Sequence, residues 1–457
     1  MEREKLGSRL GFILLAAGCA IGIGNVWKFP YIAGIGGGGA FVLIYLVFLI
    51  ILGLPVMIME FSVGRGAQAS PAVAFKKLEP KGTFWHIHGK VGVIGAYILM
   101  MFYTSVTAWM VHYFWLTVTG KLTGISAEEI SAEFPKILSD TPRMTILVIF
   151  VVCVGVLVCA RGVQKSLEKI TKYMMLALLA IMVILAINSC LMKGANEGLK
   201  FYLIPDFKRL VDDGIFKTIL AAMNQSFFTL SLGIGSMAIF GSYIGKDRSL
   251  PGESVRVIIL DTFVALTAGL IIFPACFTYG VDVNAGPPLI FMTLPNIFAH
   301  IPLGRLWGSL FFVFMSFAAF STVFAVFEEI ISGCMESFHI TRARSSIINL
   351  FLLIILALPC VFGVGVMKDL PFFGKIGTDI LDLEDFIVSN CLLPLGSLIY
   401  CLFCVSRYGW GWDNFIKEAN EGKGLKLALW TRKYLTYVLP LIILFLFGYG
   451  IWDKFFK

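Results

Sequence analysis

Gly18-Cys19-Ala20-Ile21-Gly22-Ile23-Gly24-Asn25 stands in the middle of an apolar run covering about 10–34. A glycine costs about 1 kcal/mol relative to alanine inside a helix, so three glycines and an asparagine within eight residues predict a helix interrupted near mid-depth. Close helix packing of the Gly-xxx-Gly kind, which Gly18 and Gly22 satisfy alone, is the other reading of this stretch. Working outward, ten further apolar runs follow, at about 40–63, 90–119, 143–160, 167–191, 215–243, 256–280, 303–335, 346–365, 379–404 and 433–452. Most reach the roughly 20 residues that cross a bilayer as a helix. They lack the alternation of a lipid-facing barrel strand. The sixth run carries a second cluster of interrupting residues: Asn224, Gln225, Thr229, Ser231, Gly233 and Gly235. The expectation is an all-α polytopic membrane protein of about eleven transmembrane helices, with helices 1 and 6 broken. Breaks five spans apart fit a five-plus-five inverted repeat. On that reading 1–404 is a ten-helix core with repeats at about 1–191 and 215–404, and 405–457 is a connector plus an eleventh helix.

Composition excludes a soluble enzyme. Apolar residues make up 58% of the 457, and charged residues 14% against about 25% in soluble domains. The net charge of +8 follows membrane topology and gives no sign of a nucleic-acid partner. Connectors on the N-terminal side hold 23 Lys and Arg, those on the other side 13, which places the N-terminus in the cytoplasm and, with an odd span count, the C-terminus outside. The connector at about 192–214 resists this bias with five basic residues. Leu15-Ala16-Ala17-Gly18-Cys19 resembles a lipoprotein cleavage site, but Glu2 and Glu4 precede it and a polytopic chain follows. The ten cysteines lie in or beside apolar runs, Cys401-x-x-Cys404 included, and read as reduced packing residues. His86-x-His88 falls in a connector and reads as solvated. No His-Glu-x-x-His or Gly-x-Ser-x-Gly occurs.

A helix broken in lipid leaves amides on one half and carbonyls on the other that need partners. The amides of Gly22, Ile23 and Gly24, at a half-helix start, suit a carboxylate. The carbonyls before them, with Asn25, suit a hard cation. Thr229, Ser231, Asp261, Ser321 and Thr322 offer matching oxygen from spans 6, 7 and 8.

Arg9-Leu10-Gly11, Gly22-Ile23-Gly24-Asn25, Phe29-Pro30, Gly37-Gly38-Gly39-Ala40-Phe41, Gly53-x-Pro55 with Glu60 and Gly64-Arg65, and Phe227-Phe228-Thr229-Leu230-Ser231-Leu232-Gly233 together resemble the neurotransmitter:sodium symporter family, bacterial amino-acid branch, from about Arg3 to span 11. Paired broken helices are a feature of that family, so the two arguments are not independent. The resemblance implies sodium-coupled uptake of an amino acid across the bacterial plasma membrane. It implies one sodium held by the Ala20 carbonyl, Asn25, Thr229, Asp261 and the substrate carboxylate. A second would be held by carbonyls of Gly18, Ile21 and Ala318 and hydroxyls of Ser321 and Thr322, unless those hydroxyls bond back within their own helix. Asp261 stands about where chloride-dependent relatives carry a neutral asparagine, which implies no chloride requirement. A channel or an amino-acid sensor on the same fold is the alternative function.

The same resemblance implies the substrate contacts and gates. Gly22 replaces the aspartate of monoamine carriers, so the substrate brings its own carboxylate to Gly22, Ile23 and Gly24. Tyr103, Phe228, Ile234, Thr322 and Val326 would surround its side chain, with Ser231 in reach and Leu99 able to refill space. Ile234 and Val326 are smaller than their counterparts in a small-aliphatic carrier, which implies room for Leu, Met, Phe, Tyr or Trp. A leucine-sized pocket is the alternative. Lys28, in place of the usual arginine, would pair with Asp385 as an outer gate or else reach to the membrane interface. Arg3 with Glu336 beside Tyr243 would close the inner side. Sodium ions, an amino acid and membrane lipid are the partners expected, and oligomeric state is left open.

Overall fold

The computed structural model describes residues 6–212, 214–280, 289–364 and 379–456. Among these, nine unbroken helices are long and apolar enough to cross a membrane: Gly39–Ala67, His86–Val118, Thr141–Ala160, Val163–Cys190, Leu250–Thr278, Gly304–Phe338, Arg342–Gly363, Ile380–Val405 and Thr431–Trp452. They are spans 2 to 5 and 7 to 11. Span 1 is two helices, Arg9–Ala20 and Gly24–Ile35, meeting at 57°. Span 6 is Ile215–Phe228 followed, after seven non-helical residues, by Ser236–Gly241. The protein is all-α, with isolated bridges only and no strand among the described residues.

Proline punctuates these helices in a regular way. Five of the six π turns among the described residues end two positions before a proline: Gly24–Lys28 before Pro30, Leu49–Gly53 before Pro55, Leu289–Thr293 before Pro295, Ile387–Leu392 before Pro394 and Tyr434–Val438 before Pro440. A proline has no N–H to donate, and its ring presses on the carbonyl four residues back. A turn widened to the i to i−5 bond relieves both conflicts. Leu393 N–H accordingly bonds to the Val388 carbonyl, and Phe29 N–H to that of Gly24.

Span 8 runs along span 3, and the first half of span 1 packs against spans 5, 7 and 8. Burial ranks the helices. The most apolar stretch of span 8 is 78% buried and that of span 11 only 28%, so span 8 is central and span 11 peripheral. Ile146, Leu157, Phe351, Ile355 and Leu441 stand exposed on outer helices, a surface suited to lipid and to no other solvent. All ten cysteines are free, with Cys401 and Cys404 buried.

The reading of His86-x-His88 as solvated is corrected. Span 3 begins at His86, and His88 is buried, its ring 5.0 Å from Phe75 and 5.2 Å from Tyr400, edge-on to both. His86 faces Glu79 at 2.8 Å. Burial works to raise the Glu79 carboxyl, but the His86 backbone and ring hydrogen bonds and nearby Lys76 outweigh it and hold the group below its ordinary range.

Candidate ion and substrate site

The first helix of span 1 stops at Ala20 because Ile21 leaves the helical region, at φ −73° and ψ 88°. Its last carbonyls then turn to hydroxyls of other spans. The Cys19 carbonyl accepts from Ser231 Oγ and Thr322 Oγ1, both at 3.4 Å, and the Ile21 carbonyl from Ser321 Oγ at 3.1 Å. Ser321 also reaches back to the Ala318 carbonyl at 2.8 Å. Thus oxygens of Ile21, Ala318 and Ser321 converge between spans 1 and 8, with Gly18 against Ser321 and Thr322 alongside. On the other side of the break, Ile23 N–H donates to the Tyr103 hydroxyl at 3.1 Å and Gly22 N–H to Asn25 Oδ1 at 3.3 Å. A Cβ at Gly22 would lie 2.5 Å from that hydroxyl and 2.6 Å from Thr322 Oγ1, so only glycine lets the backbone come this close.

Span 6 breaks beside it. Ser231 sits at φ 51° and Gly233 at φ 103°. At Gly233 a side chain would also run into the backbone of span 10, 2.9 Å from Ser397 N. The first half of span 6 delivers Thr229, whose hydroxyl donates to Asp261 Oδ2 at 3.2 Å, and Gln225, whose amide donates to the Gly24 carbonyl at 3.1 Å. Asn25 donates to Asp261 Oδ1 at 2.7 Å. Asn25, Thr229 and Asp261 are all buried, so spans 1, 6 and 7 meet at one carboxylate. Oxygen dominates the donors here, which is what a hard cation prefers.

Beside this cluster lies a small cavity of about 20 Å³, room for about one water. Its lining comes from the span 1 break at Ala20, Gly22 and Gly24, from the hydroxyl-bearing Tyr103, Thr322 and Ser231, and from the apolar Leu99, Phe228, Val388 and Leu393. No side chain in that lining carries a formal charge. Ile234 and Val326 are buried but do not line it. The positive φ of Gly233 and of Gly235 turns the segment between them, and Ile234 packs its side chain against Gly95 of span 3. Val388 and Leu393 of span 10 take places that the sequence reading did not assign. Their signal was available: Pro394 marks the widened turn that carries them.

The family profile described as "Sodium:neurotransmitter symporter family" matches residues 3–133 and 125–454. The chain belongs to the sodium:neurotransmitter symporter family. It is 36% identical over 442 residues to the uncharacterized sodium-dependent transporter YhdH of Bacillus subtilis, covering 96% of each chain. An uncharacterized sodium-dependent transporter of Methanocaldococcus jannaschii is 31% identical over 463 residues, 97% of this chain and 89% of the relative. The crystal structure of MhsT in complex with L-phenylalanine superposes with a TM-score of 0.88 at 35% identity, covering 98% of this chain and all of the other. This protein is therefore a sodium-dependent transporter and not an enzyme, and an integral membrane protein.

In this symporter a second cavity, of about 190 Å³, lies beyond Phe228 on the side away from the N-terminus, with Lys28, Asn224, Ser389 and Asn390 in its wall. Lys28 Nζ stands 3.7 Å above the Phe228 ring and 3.8 Å from Asp385 Oδ2. The N-terminal side is closed by deeper contacts. Tyr243 donates to Glu328 at 2.6 Å, and Arg342 grips the same carboxylate at 2.7 and 3.0 Å. Glu336 accepts from Ser70 N and Oγ, both at 2.8 Å, and Arg3 lies outside the described residues. Three buried carboxylates have contacts that the sequence did not foretell. Glu60 accepts from Gly233 N–H and, at 3.3 Å, from Met237 N–H, so span 2 caps the second half of span 6. Glu329 accepts from Ser236 Oγ at 2.8 Å. Glu418 of the 405–432 connector holds Arg65 at 2.6 Å. At the rim Lys246 meets Glu421 at 3.0 Å, and that hydrogen bond keeps its ammonium protonated above the ordinary lysine range.

Proposed function

We propose that this transporter imports a neutral, hydrophobic L-amino acid, coupled to two sodium ions, by alternating access. The observation that carries the reading is the meeting of backbone amides at Gly22 to Gly24 with the Asn25, Thr229 and Asp261 cluster, under a cavity with apolar and hydroxyl walls. A substrate carboxylate placed on those amides lies beside the first sodium at Ala20, Asn25, Thr229 and Asp261, and each then stabilises the other. The second sodium belongs with Gly18, Ile21, Ala318, Ser321 and Thr322. Its role is to hold the break of span 1 against span 8. A charged substrate side chain would find no counter-charge in the lining and is excluded, because an unpaired polar group there costs roughly 1–3 kcal/mol. The phenylalanine named for MhsT supports a hydrophobic substrate. The taurine transporter of Bos taurus, 24% identical, marks how far substrates diverge across such identities. With the N-terminus cytoplasmic and the end of span 11 outside, in a bacterial plasma membrane, each entering sodium supplies about 3.7 kcal/mol at a tenfold gradient and about 100 mV.

Asp261 supplies the negative charge that a sodium beside a zwitterion needs, so exchange of chloride for gluconate is expected to leave uptake unchanged. The test of the whole reading is thermal unfolding with each of the twenty amino acids in sodium and in potassium. Stabilisation by hydrophobic amino acids in sodium alone is the expected result. Stabilisation by none, or equally in both salts, overturns it.

A further inference from the structure

Span 10 shows a device that neither the breaks nor the ion cluster explains. Its π turn, Ile387–Leu392, bonds Leu393 N–H to the Val388 carbonyl. In a regular α-helix residues five apart point about 140° away from each other, at 3.6 residues per turn. The wider turn closes an i to i−5 ring and so stacks residue 393 over residue 388. Both residues then line the small cavity, and both are buried. Two of the four residues between them, Ser389 and Asn390, line the second cavity beyond Phe228. One turn thus forms part of the wall between two compartments, apolar on one side and polar on the other.

The backing of this turn is rigid. Span 10 lies so close to the span 6 break that a Cβ at Gly233 would come 2.9 Å from Ser397 N. Pro394 fixes the widening from below. Val388 is β-branched and stiff at χ1, so the wall does not yield to an incoming group as a methionine would.

We propose that Val388 and Leu393, presented together by this π turn, set the size of side chain the transporter accepts; this rests on the amino-acid reading above. The cavity at about 20 Å³ must enlarge for any hydrophobic side chain, and Leu99 and Phe228 are the other large apolar residues of its lining. Volume removed at Val388 passes directly to the substrate. The ligand class is a neutral aliphatic or aromatic amino acid, ranked by bulk.

The experiment measures competition of tryptophan, phenylalanine, leucine and alanine for binding in sodium, in the parent protein and in Val388→Ala, Val388→Phe and Leu393→Ala. Val388→Ala should raise affinity for tryptophan relative to alanine by about tenfold, the worth of one or two methylenes. Val388→Phe should lower the same ratio by at least about tenfold. Should the phenylalanine variant fail to fold, judged by its unfolding midpoint in sodium alone, the two alanine variants decide. A parent that binds amino acids while the variants keep its ratios within about twofold overturns the span 10 inference alone. A parent that binds no amino acid in sodium overturns it together with the reading it rests on.

Discussion

On the side of the small cavity away from the N-terminus stand the Phe228 ring and an ion pair, Lys28 and Asp385, 3.8 Å apart with side chains about a third exposed. On the N-terminal side Arg342, Tyr243 and Ser332 bond to Glu328, Arg65 to Glu418, and Arg9 and Arg256 to Glu253, at 2.6–3.0 Å with every carboxylate buried, although Arg9 and Arg256 are themselves exposed. Exposed pairs contribute about 0–1 kcal/mol, whereas removing one partner of a buried pair costs about 3–5 kcal/mol. In the proposed alternating-access cycle the pair beyond Phe228 would therefore part more readily than the pairs on the N-terminal side. Opening that side would need several pairs to exchange together, the step for which ligand binding must supply differential free energy.

The most severe way to break this contrast is Glu328→Ala, which removes the buried carboxylate that Arg342, Tyr243 and Ser332 share. It should destabilise the protein by about 3–5 kcal/mol, read as a fall in unfolding midpoint, while Lys28→Ala should stay within about 1 kcal/mol of the parent. Equal losses from the two variants would mean that the sides are not closed differently. Next in size is Asp261→Ala. The carboxylate joins spans 1, 6 and 7, so its removal should weaken sodium and substrate together by roughly 2–3 kcal/mol, about 100-fold, in titrations of each ligand at low and high concentrations of the other. A substrate affinity independent of sodium in the parent would refute the shared site.

A third change acts on the outer side alone. Phe228 separates the two cavities, and Phe228→Ala should merge them. Substrate dissociation should then quicken by about tenfold, roughly 1–2 kcal/mol, with sodium affinity nearly unchanged. Stopped-flow release into buffer measures it. An unaltered rate would place the outer barrier elsewhere.

These sites differ in how far the sequence foretold them. Both breaks were legible because helix-breaking residues clustered inside apolar runs, and Asn25, Thr229 and Asp261 because polar residues at mid-depth have few other uses. Ile234 lies against Gly95 because its direction depends on the positive φ at Gly233 and Gly235, which spacing along the chain does not give. Val388 and Leu393 were hidden for a related reason. Helical periodicity of 3.6 sets them on different faces, and only the proline after them reveals a turn of another width. Arg65 and Glu418 are 353 residues apart, a pairing that no local pattern encodes. His88 is buried because span 3 starts earlier than its apolar run, where Phe75 and Tyr400 close over it.

The smallest change sharpens the contrast from the weak side. Lysine at position 28 offers a compact point charge, and its ammonium divides its attention between the Phe228 ring and Asp385. Arginine carries a planar fork that takes a carboxylate through two parallel hydrogen bonds and stacks on an aromatic face at the same time. Lys28→Arg should therefore tighten the outer closure by less than about 1 kcal/mol, since the pair stays partly exposed and screened by salt. A cysteine placed at Asn224, in the wall of the second cavity, should label up to about fivefold more slowly with a membrane-impermeant thiol reagent in that background, and the difference should shrink at high ionic strength. The same substitution has no contact with the buried inner pairs, so the unfolding midpoint should not move. Faster labelling, or a salt-independent change, would show that Lys28 closes the outer side through packing on Phe228 and not through its charge.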